Sequence, residues 1–374
     1  MAAFDGSNAP TLRIQFLKSG TWTDVTTTDV RQIATKRGRS RQDQQDDPGT
    51  MTVILDNRSG IYDPDYTSAS TWVVSGTSIL KSGLQARLVA TWSSTDYILF
   101  TGSFETNTLD IGFDSICTMV FVEQSADFAT IQAPALSAPA YQETSSTRIG
   151  RMLTYASWSG SSSVSGSVTM LPTAQNTSLW SMIQQCVAVE AGRFFISRSG
   201  VATFLPLSSK FSAVTRLLLS DSRATNTVEY DQIMTTPGTL QVLNQAIINR
   251  ASKNQYTCTY NPSVSAYGLQ SKTYDAPVAN DSDAQNLALY YSRFMATPTT
   301  LVNSISFDAL ALGTLYPDFL SLELADQLTV QRTTVDGRSM TYYLVVEGFT
   351  HTITPDSWRT VIQTSTMNSY SITI

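Results

Sequence analysis

The chain has 374 residues, too many for one ordinary core and suited to roughly two to four subdomains. Hydrophobic residues make up 42% but charged residues only 14%, and Ser and Thr fill the difference. That hydroxyl-rich surface suits a protein embedded in an assembly. The net charge of −6 and a pI near 4.9, with no basic stripe, argue against a sequence-reading nucleic-acid binder. A mild acid excess fits a wall past which nucleic acid slides without sticking.

From Leu12 to about Phe128 the chain reads as β. TLRIQFL, TMTVILD, LQARLVATW, YILFTGSFET and SICTMVFVE carry β-branched and aromatic residues with partial alternation, separated by Gly and Asp turns. Strands at this spacing predict a barrel or sandwich. IQAPALSAPAY, with Pro134 and Pro139, predicts an extended connection. A helix is predicted over Thr147 to Trp158, with Ile149, Met152, Leu153 and Ala156 on one face. SGSSSVSGSV reads as a loop or weak hairpin. A second helix is predicted over Ser178 to Ala191, ended by Gly192. RFFISRSGVATFLPL follows as a hairpin turning at Ser199-Gly200.

From Thr227 the β patterns return in VEYDQIMTT, LQVLNQAIIN and QYTCTY. One helix interrupts them, about Ser282 to Ala296, with Ser282 and Gln285 as a capping box and Pro298 as a stop. Asp326 to Ile374 is again β. GSFETNTLDIGFDSICTMVFV, from Gly102, echoes GFTHTITPDSWRTVIQTS, from Gly348, which raises an internal duplication.

The chemistry-bearing residues are sparse. Cys117, Cys186 and Cys258 are far apart and form no CxxC, which argues against a disulfide framework or a cysteine-rich zinc site and reads as buried free thiols. The single histidine, His351, lies on a predicted strand without a GxSxG nucleophile elbow, and reads as a packed or solvated side chain. No HExxH, P-loop or GxGxxG pattern occurs. TVILDNRSGIYDPDY places Asp56, Asp63 and Asp65 together, with Asp47 nearby. As an EF-hand it fails, because Arg58 takes the third position and no Glu closes the loop. Two successive turns, built on Asn57, Ser59, Gly60 and Asp63-Pro64, are the local alternative. Paired carboxylates for glycosidase chemistry remain open, with Asp56, Asp63, Asp65, Glu105 and Asp114 as candidates. The six tryptophans, Trp22, Trp72, Trp92, Trp158, Trp180 and Trp358, offer sugar platforms or core anchors. No apolar stretch reaches the ~20 residues of a membrane span, so no stable membrane insertion is expected. MAAFDGSNAP has no signal-peptide pattern, which predicts folding in a cytoplasm.

KRGRSRQDQQDDPGTMTVILDNRSGIYDPDYTS resembles the N-terminal domain of tail hub proteins of long-tailed bacteriophages, often called minor tail proteins. The residues that carry the likeness are Gly38-Arg39, Leu55-Asp56-Asn57 and Gly60-Ile61-Tyr62-Asp63-Pro64, with LFTGSF from Leu99 to Phe104. SLWSMIQQCVAVEAGRFFISRSGVATF resembles the helix and hairpin of such hubs, through Glu190, Gly192, Gly200 and Phe204. Tyr267-Gly268 lies in a segment similar to theirs, and Gly348, His351, Pro355 and Trp358 match their closing hairpin.

The resemblance covers nearly the whole chain, in order. It implies a mainly β (α+β) fold with two tail-tube-like β-barrels and intervening α/β segments. The implied divisions are residues 1–128, an N-terminal barrel; 129–212, a mixed α/β domain; 213–300, strands plus a helix; and 301–374, the rest of the second barrel. It further implies a homotrimeric, non-enzymatic tail-tip or baseplate hub without cofactor. Such a hub adapts a sixfold tail tube to threefold symmetry and lines the DNA ejection channel. Implied partners are a distal tail or tail tube protein, a tape measure protein and other tail-tip or receptor-binding proteins, with DNA only in transit. The implied location is the virion tail tip. The second reading is a carbohydrate-binding or glycan-hydrolysing tail protein at the host surface; a third is a lectin-like β protein.

Overall fold

The computed structural model describes residues 9–41, 44–134, 142–173, 177–209, 215–222, 224, 226–237, 242–250 and 252–367. The first part of the chain forms β1 (Thr11–Lys18), β2 (Thr21–Asp24), β3 (Val30–Gly38), β4 (Asp47–Asp56), the short β5 (Val73–Val74) and β6 (Thr77–Ser78), β7 (Gln85–Trp92), β8 (Thr95–Asp110), β9 (Ile116–Val122) and α1 (Ser125–Thr130). The middle carries β10 (Glu143–Thr144), α2 (Ser145–Tyr155), β11 (Ser162–Val164), β12 (Thr169–Met170), α3 (Leu179–Glu190), β13 (Arg193–Ile196) and β14 (Ala202–Leu205). Then follow β15 (Thr215–Ser220), β16 (Val228–Glu229), β17 (Gln232–Thr236), β18 (Gln245–Asn249), β19 (Tyr256–Thr259), α4 (Asn261–Tyr267), β20 (Ser271–Asp275) and α5 (Asp281–Phe294). The chain closes with β21 (Leu301–Asp308), α6 (Tyr316–Ser321), β22 (Gln327–Thr333), β23 (Ser339–Thr354) and β24 (Ser357–Thr366).

Alternation drives the long strands. On β4, Met51, Val53 and Leu55 point inward, and on β9 Cys117, Met119 and Phe121 do. Leu12, Ile14 and Phe16 of β1 face them, and the Phe16 and Phe121 rings lie 5.5 Å apart, so this sheet curls over its own inner face.

The large sheet contains the same arrangement twice. In the first half the strand order is β3-β4-β9-β8-β7-β1-β2; in the second it is β17-β21-β24-β23-β22-β15-β16. Chain order is preserved strand for strand. The two halves also share an irregularity. Glu105 is skipped in the β8–β9 ladder as Glu347 is skipped in the β23–β24 ladder. Aligned on that bulge, Gln85 matches Gln327, Asp56 matches Asp308, and Ile33 matches Ile233. The duplication is therefore present, but the glycine-to-glycine echo is displaced: Gly348 matches Thr106, and Gly102 matches Leu344. The outer strands differ, since β1 is antiparallel to β7 and β2 whereas β15 is parallel to β22 and β16.

The mainly β class holds. No described ladder closes either half into a barrel: each path stays open, ending at β2 and β3 in one half and β16 and β17 in the other. One core runs through both halves, and a second is built around α2, α3, β13, β14 and α5.

Local details correct several expectations. α2 starts at Ser145, two residues early, because Thr144 accepts a bond from Thr147 N at 3.2 Å and caps it. The left-handed residue that ends α3 is Ala191 (φ +43°), not Gly192. Gly192 is needed for space instead, since a Cβ there would lie 2.5 Å from the Leu205 carbonyl. α5 begins at Asp281 behind Asn280, so Ser282 and Gln285 lie inside the helix; Asp281 and Asp283 complement its N-terminal dipole. The Ser199-Gly200 turn forms as expected, with Gly200 at φ +83°. SGSSSVSGSV contributes β11, a parallel neighbour of β14. Residues 135–141 of the proline-containing connection lie outside the described residues, as does most of MAAFDGSNAP. No helix among the described residues is long and apolar enough to cross a membrane.

Candidate functional site

The two halves meet along one antiparallel ladder. β3 pairs with the distal part of β23 from Gly38↔Gly348 through Arg37↔Phe349 and Thr35↔His351 to Ile33↔Ile353. The ladder opens at two glycines because backbone crosses backbone there. Gly38 has φ +79° and lies against the Glu347 carbonyl and the Leu324 side chain. A Cβ on Gly348 would sit 2.8 Å from the Arg39 carbonyl and 2.9 Å from that of Arg37.

Beside the glycines lies a buried charge network. Arg37, 4% exposed, donates to Glu123 Oε1 at 2.6 Å, Glu323 Oε1 at 2.9 Å and the Ile196 carbonyl at 2.7 Å. Arg39 donates to Glu347 Oε2 at 2.7 Å. Arg193, at the start of β13, donates to Asp46 Oδ2 at 2.9 Å and to the carbonyls of Val346 (2.9 Å) and Glu347 (2.6 Å). Glu347 also accepts from Ser365 Oγ at 2.5 Å. Arg198 faces Glu323 at 3.9 Å, so four arginines meet Asp46, Glu123, Glu323 and Glu347. Burial alone would weaken the Arg37 guanidinium's hold on its proton, but Glu323 and Glu123 outweigh it and keep it above its ordinary range. The Arg193 guanidinium is likewise held up, against burial, by Asp46 and Glu347. The network ties the first half, the second half and the middle hairpin to one geometry, since each charge needs its partners to stay buried.

His351 belongs to this seam. Trp358 Nε1 donates to its Nδ1 at 3.4 Å, and Thr360 Oγ1 lies 3.0 Å from the same nitrogen. The Phe319 and Phe349 rings pack around it, each with its centroid 6.0 Å away. Burial, then the nearby Arg37 charge, pushes its pKa down to about 4, so the ring is neutral at pH 7. A ring bonded by an indole and a threonine packs a core; a Ser-His-Asp relay needs a carboxylate at that nitrogen.

The acidic turn lies elsewhere, and of the candidate carboxylates Asp56 and Asp114 meet there, at Arg31. Asp56 Oδ1 accepts from Arg58 N at 3.1 Å and Nε at 2.9 Å, and Arg31 bridges Asp56 (3.1 Å) and Asp114 (2.6 Å). The bonds from Arg58, then Arg31, hold the Asp56 carboxyl well below the usual carboxylate range. Asn57 Oδ1 accepts from Tyr62 N at 3.0 Å, Asp63 Oδ1 from Asp65 N at 2.8 Å, and Gly60 takes φ +75° before the Asp63-Pro64 turn. Leu55 is buried on β4. Asp308, the counterpart of Asp56, accepts from Leu310 N at 3.0 Å, also two residues on. The same aspartate thus ends the same strand in both halves. Among the described residues no group of three or more His, Cys, Asp or Glu could hold a metal ion.

The remaining candidates scatter. Tyr267 and Gly268 end α4, where Gly268 (φ +77°) accepts from Asn244 Nδ2 at 2.8 Å. Glu190 gathers Ser145 Oγ, Ser167 N and Val168 N at 2.6–2.8 Å and pins the middle segment. Trp72 and Trp358 are buried; Trp22 and Trp92 pack half-buried against Arg87 and Tyr316, and the half-buried Trp158 and Trp180 join one aromatic cluster through Phe128 and Phe194, so the six are spread over separate places. Cys117 and Cys186 are buried free thiols, and Cys258 is half-buried.

Of the predicted residues, then, Gly38, Arg39, Gly348 and Trp358 come together at the seam, while Leu55, Asp56, Asn57, Gly60, Asp63 and Pro64 form the turn. β3, Asp46, Glu123, Arg193, Glu323 and Glu347 were missed. One signal could have found β3: Gln32-Ile33-x-Thr35-x-x-Gly38 recurs in the sequence as Gln232-Ile233-x-Thr235-x-x-Gly238.

No protein-family model matches the chain, and no curated protein matches it in sequence. Solved structures do match its fold. A tail protein from Neisseria meningitidis superposes with a TM-score of 0.61 at 10% identity, over 95% of this chain and 96% of that one. The 43 kDa tail protein of prophage MuSo2 from Shewanella oneidensis gives 0.59 at 10% identity, over 95% and 98%. Prophage tail protein gp18 from Listeria monocytogenes gives 0.52 at 10% identity, over 96% of each chain. At such identity the likeness is one of fold.

Proposed function

We propose that the chain is a structural protein of a phage tail, a homotrimeric tail-tip or baseplate hub. The observation that carries this reading is the duplicated seven-strand unit. Two equivalent units per chain and three chains supply six similar positions in a ring that keeps threefold symmetry. Such a ring can dock on a sixfold tail tube or distal tail protein and present three sites below. Fold likeness to tail proteins over nearly the whole chain supports the same reading.

In this reading residues 1–128 and 301–374, with part of 213–300, form two barrel-like units around the channel, and 129–212 forms the outer body. The low charge suits permanent interfaces, and the net charge of −6 suits a channel that passes DNA without holding it. Partners are the tail tube or distal tail protein, the tape measure protein and receptor-binding proteins, and the work is symmetry adaptation and opening rather than catalysis. The test is gold labelling of a tagged chain in purified particles. Label at the tail tip is expected; particles with complete, infectious tails that lack the chain would overturn the reading.

A further inference from the structure

We infer that the seam between the two halves is repeated between copies of the chain, with β17 of one copy adding to the free edge of β8 in the next. The inference rests on the homotrimer proposed above and assigns the strands through which its ring closes.

The seam supplies the template. The distal part of β23, Gly348–Ile353, is bonded by β24 on one side and by β3 on the other. Its counterpart, Thr106–Asp110 of β8 with the following Ile111, has β9 along Thr106–Asp110, and among the described residues no strand covers its other edge. The counterpart of β3 is β17, which pairs with β21 and leaves its second edge unpaired among the described residues. One chain therefore holds one complete seam and the two separate edges of another. A single chain cannot join these edges to each other in the way that β3 joins β23, because the units would have to close a ring of two. Three chains join each β17 to the next β8 and leave neither of these two edges over.

The register follows from the duplication. Glu347 lies 242 residues after Glu105 at the shared bulge, and Ile233 lies 200 residues after Ile33 opposite matching positions on β21 and β4. The seam pairs Thr350↔Lys36, Thr352↔Ala34 and Ile353↔Ile33 then become Thr108↔Thr236, Asp110↔Met234 and Ile111↔Ile233 between copies, antiparallel. The exposed apolar residues support this placement. Ile111 is 80% exposed and Met234 53%, and these lie at the two edges the register brings together, with Phe113, 103% exposed, in the turn that follows β8. Two unpaired, partly apolar edges are open to strand addition, and a second copy presents the matching one.

The test is cysteine cross-linking of the full chain under mild oxidation, with mass by light scattering in parallel. Directly opposed Cα atoms lie about 4.5–5.5 Å apart in an antiparallel pair, within disulfide reach, whereas a two-residue slip exceeds the ~7 Å limit. Asp110→Cys with Met234→Cys, and independently Thr108→Cys with Thr236→Cys, should each give covalent dimers and trimers. Asp110→Cys with Thr236→Cys should give at least ~10-fold less, since its partners are out of register. Single variants set the background from Cys258, and the second matched pair guards against misfolding of the first. A trimer in which matched and mismatched pairs cross-link equally, or not at all, overturns this interface while leaving the trimer standing. A 40.9 kDa monomer under all conditions overturns the trimer itself, and the interface with it.

Discussion

Replacing Arg193 by methionine removes one guanidinium from a place that water does not reach. The side chain is 1% exposed, and it holds Asp46 as well as the carbonyls of Val346 and Glu347. Methionine fills much of the volume, so little of the loss is cavity. What remains is a carboxylate at Asp46, 8% exposed, facing the methionine side chain, while Glu347 keeps Arg39 and Ser365. Breaking one partner of a buried pair costs about 3–5 kcal/mol. At ~2.1 cal/mol/K per residue, a cooperative transition of 374 residues has an entropy near 0.8 kcal/mol/K, which converts that loss to a fall of about 4–6 °C in Tm. Calorimetry of Arg193→Met, Asp46→Asn and the double variant measures it. The double variant should recover part of the loss, because the orphaned charge is gone, giving a coupling of at least ~1 kcal/mol. Additive losses, or a single-variant loss under ~1 kcal/mol, would refute the view that this network fixes the two halves together.

Other outcomes follow from the same geometry. Gly38→Ala should destabilise by more than ~2 kcal/mol in urea unfolding, since φ is +79° and the Cβ meets the Glu347 backbone; an unchanged midpoint would contradict the crowding. His351 takes its proton near pH 6.5 when unfolded but only near 4 when folded, so the unfolded chain binds the extra proton between those values. Its contribution, up to ~3 kcal/mol, is complete above pH 6.5 and is lost as pH falls towards 4. His351→Asn, whose Oδ1 can replace Nδ1, should flatten the Tm-against-pH curve in that window; an equally steep curve would show that other groups set it. Asp56→Ala should move Tm by less than ~2 °C and leave assembly intact, since its arginine partners lie at the surface. Loss of the trimer on that change would return the acidic turn to the functional site.

The strands with clean alternation, such as Thr50 to Asp56 and Ser115 to Glu123, were legible because one face is apolar and the other polar. β3 was not, because its inward residues include Thr35 and Arg37 and their burial depends on acids far away in the chain. α4 and α6 were hidden by Pro262 and Pro317, which read as breakers but occupy the first helical turn. The acidic turn was legible as a turn, and the matching bond at Asp308 explains why: the aspartate ends a duplicated strand. The seam itself was visible only in fragments, as Gly38, Arg39, Gly348 and Trp358, since its charge partners come from three separate parts of the chain. The duplication surfaced as a faint glycine echo. Its true alignment rests on bulge position and register, which are properties of strand pairing that no single segment carries.

The most direct test of the account is an image of the purified protein in solution by electron microscopy. Three copies joined through repeated seams should give a ring with threefold symmetry and six similar lobes around a central opening. Isolated single-chain particles, or a threefold assembly whose lobes are not arranged as six similar units, would contradict it.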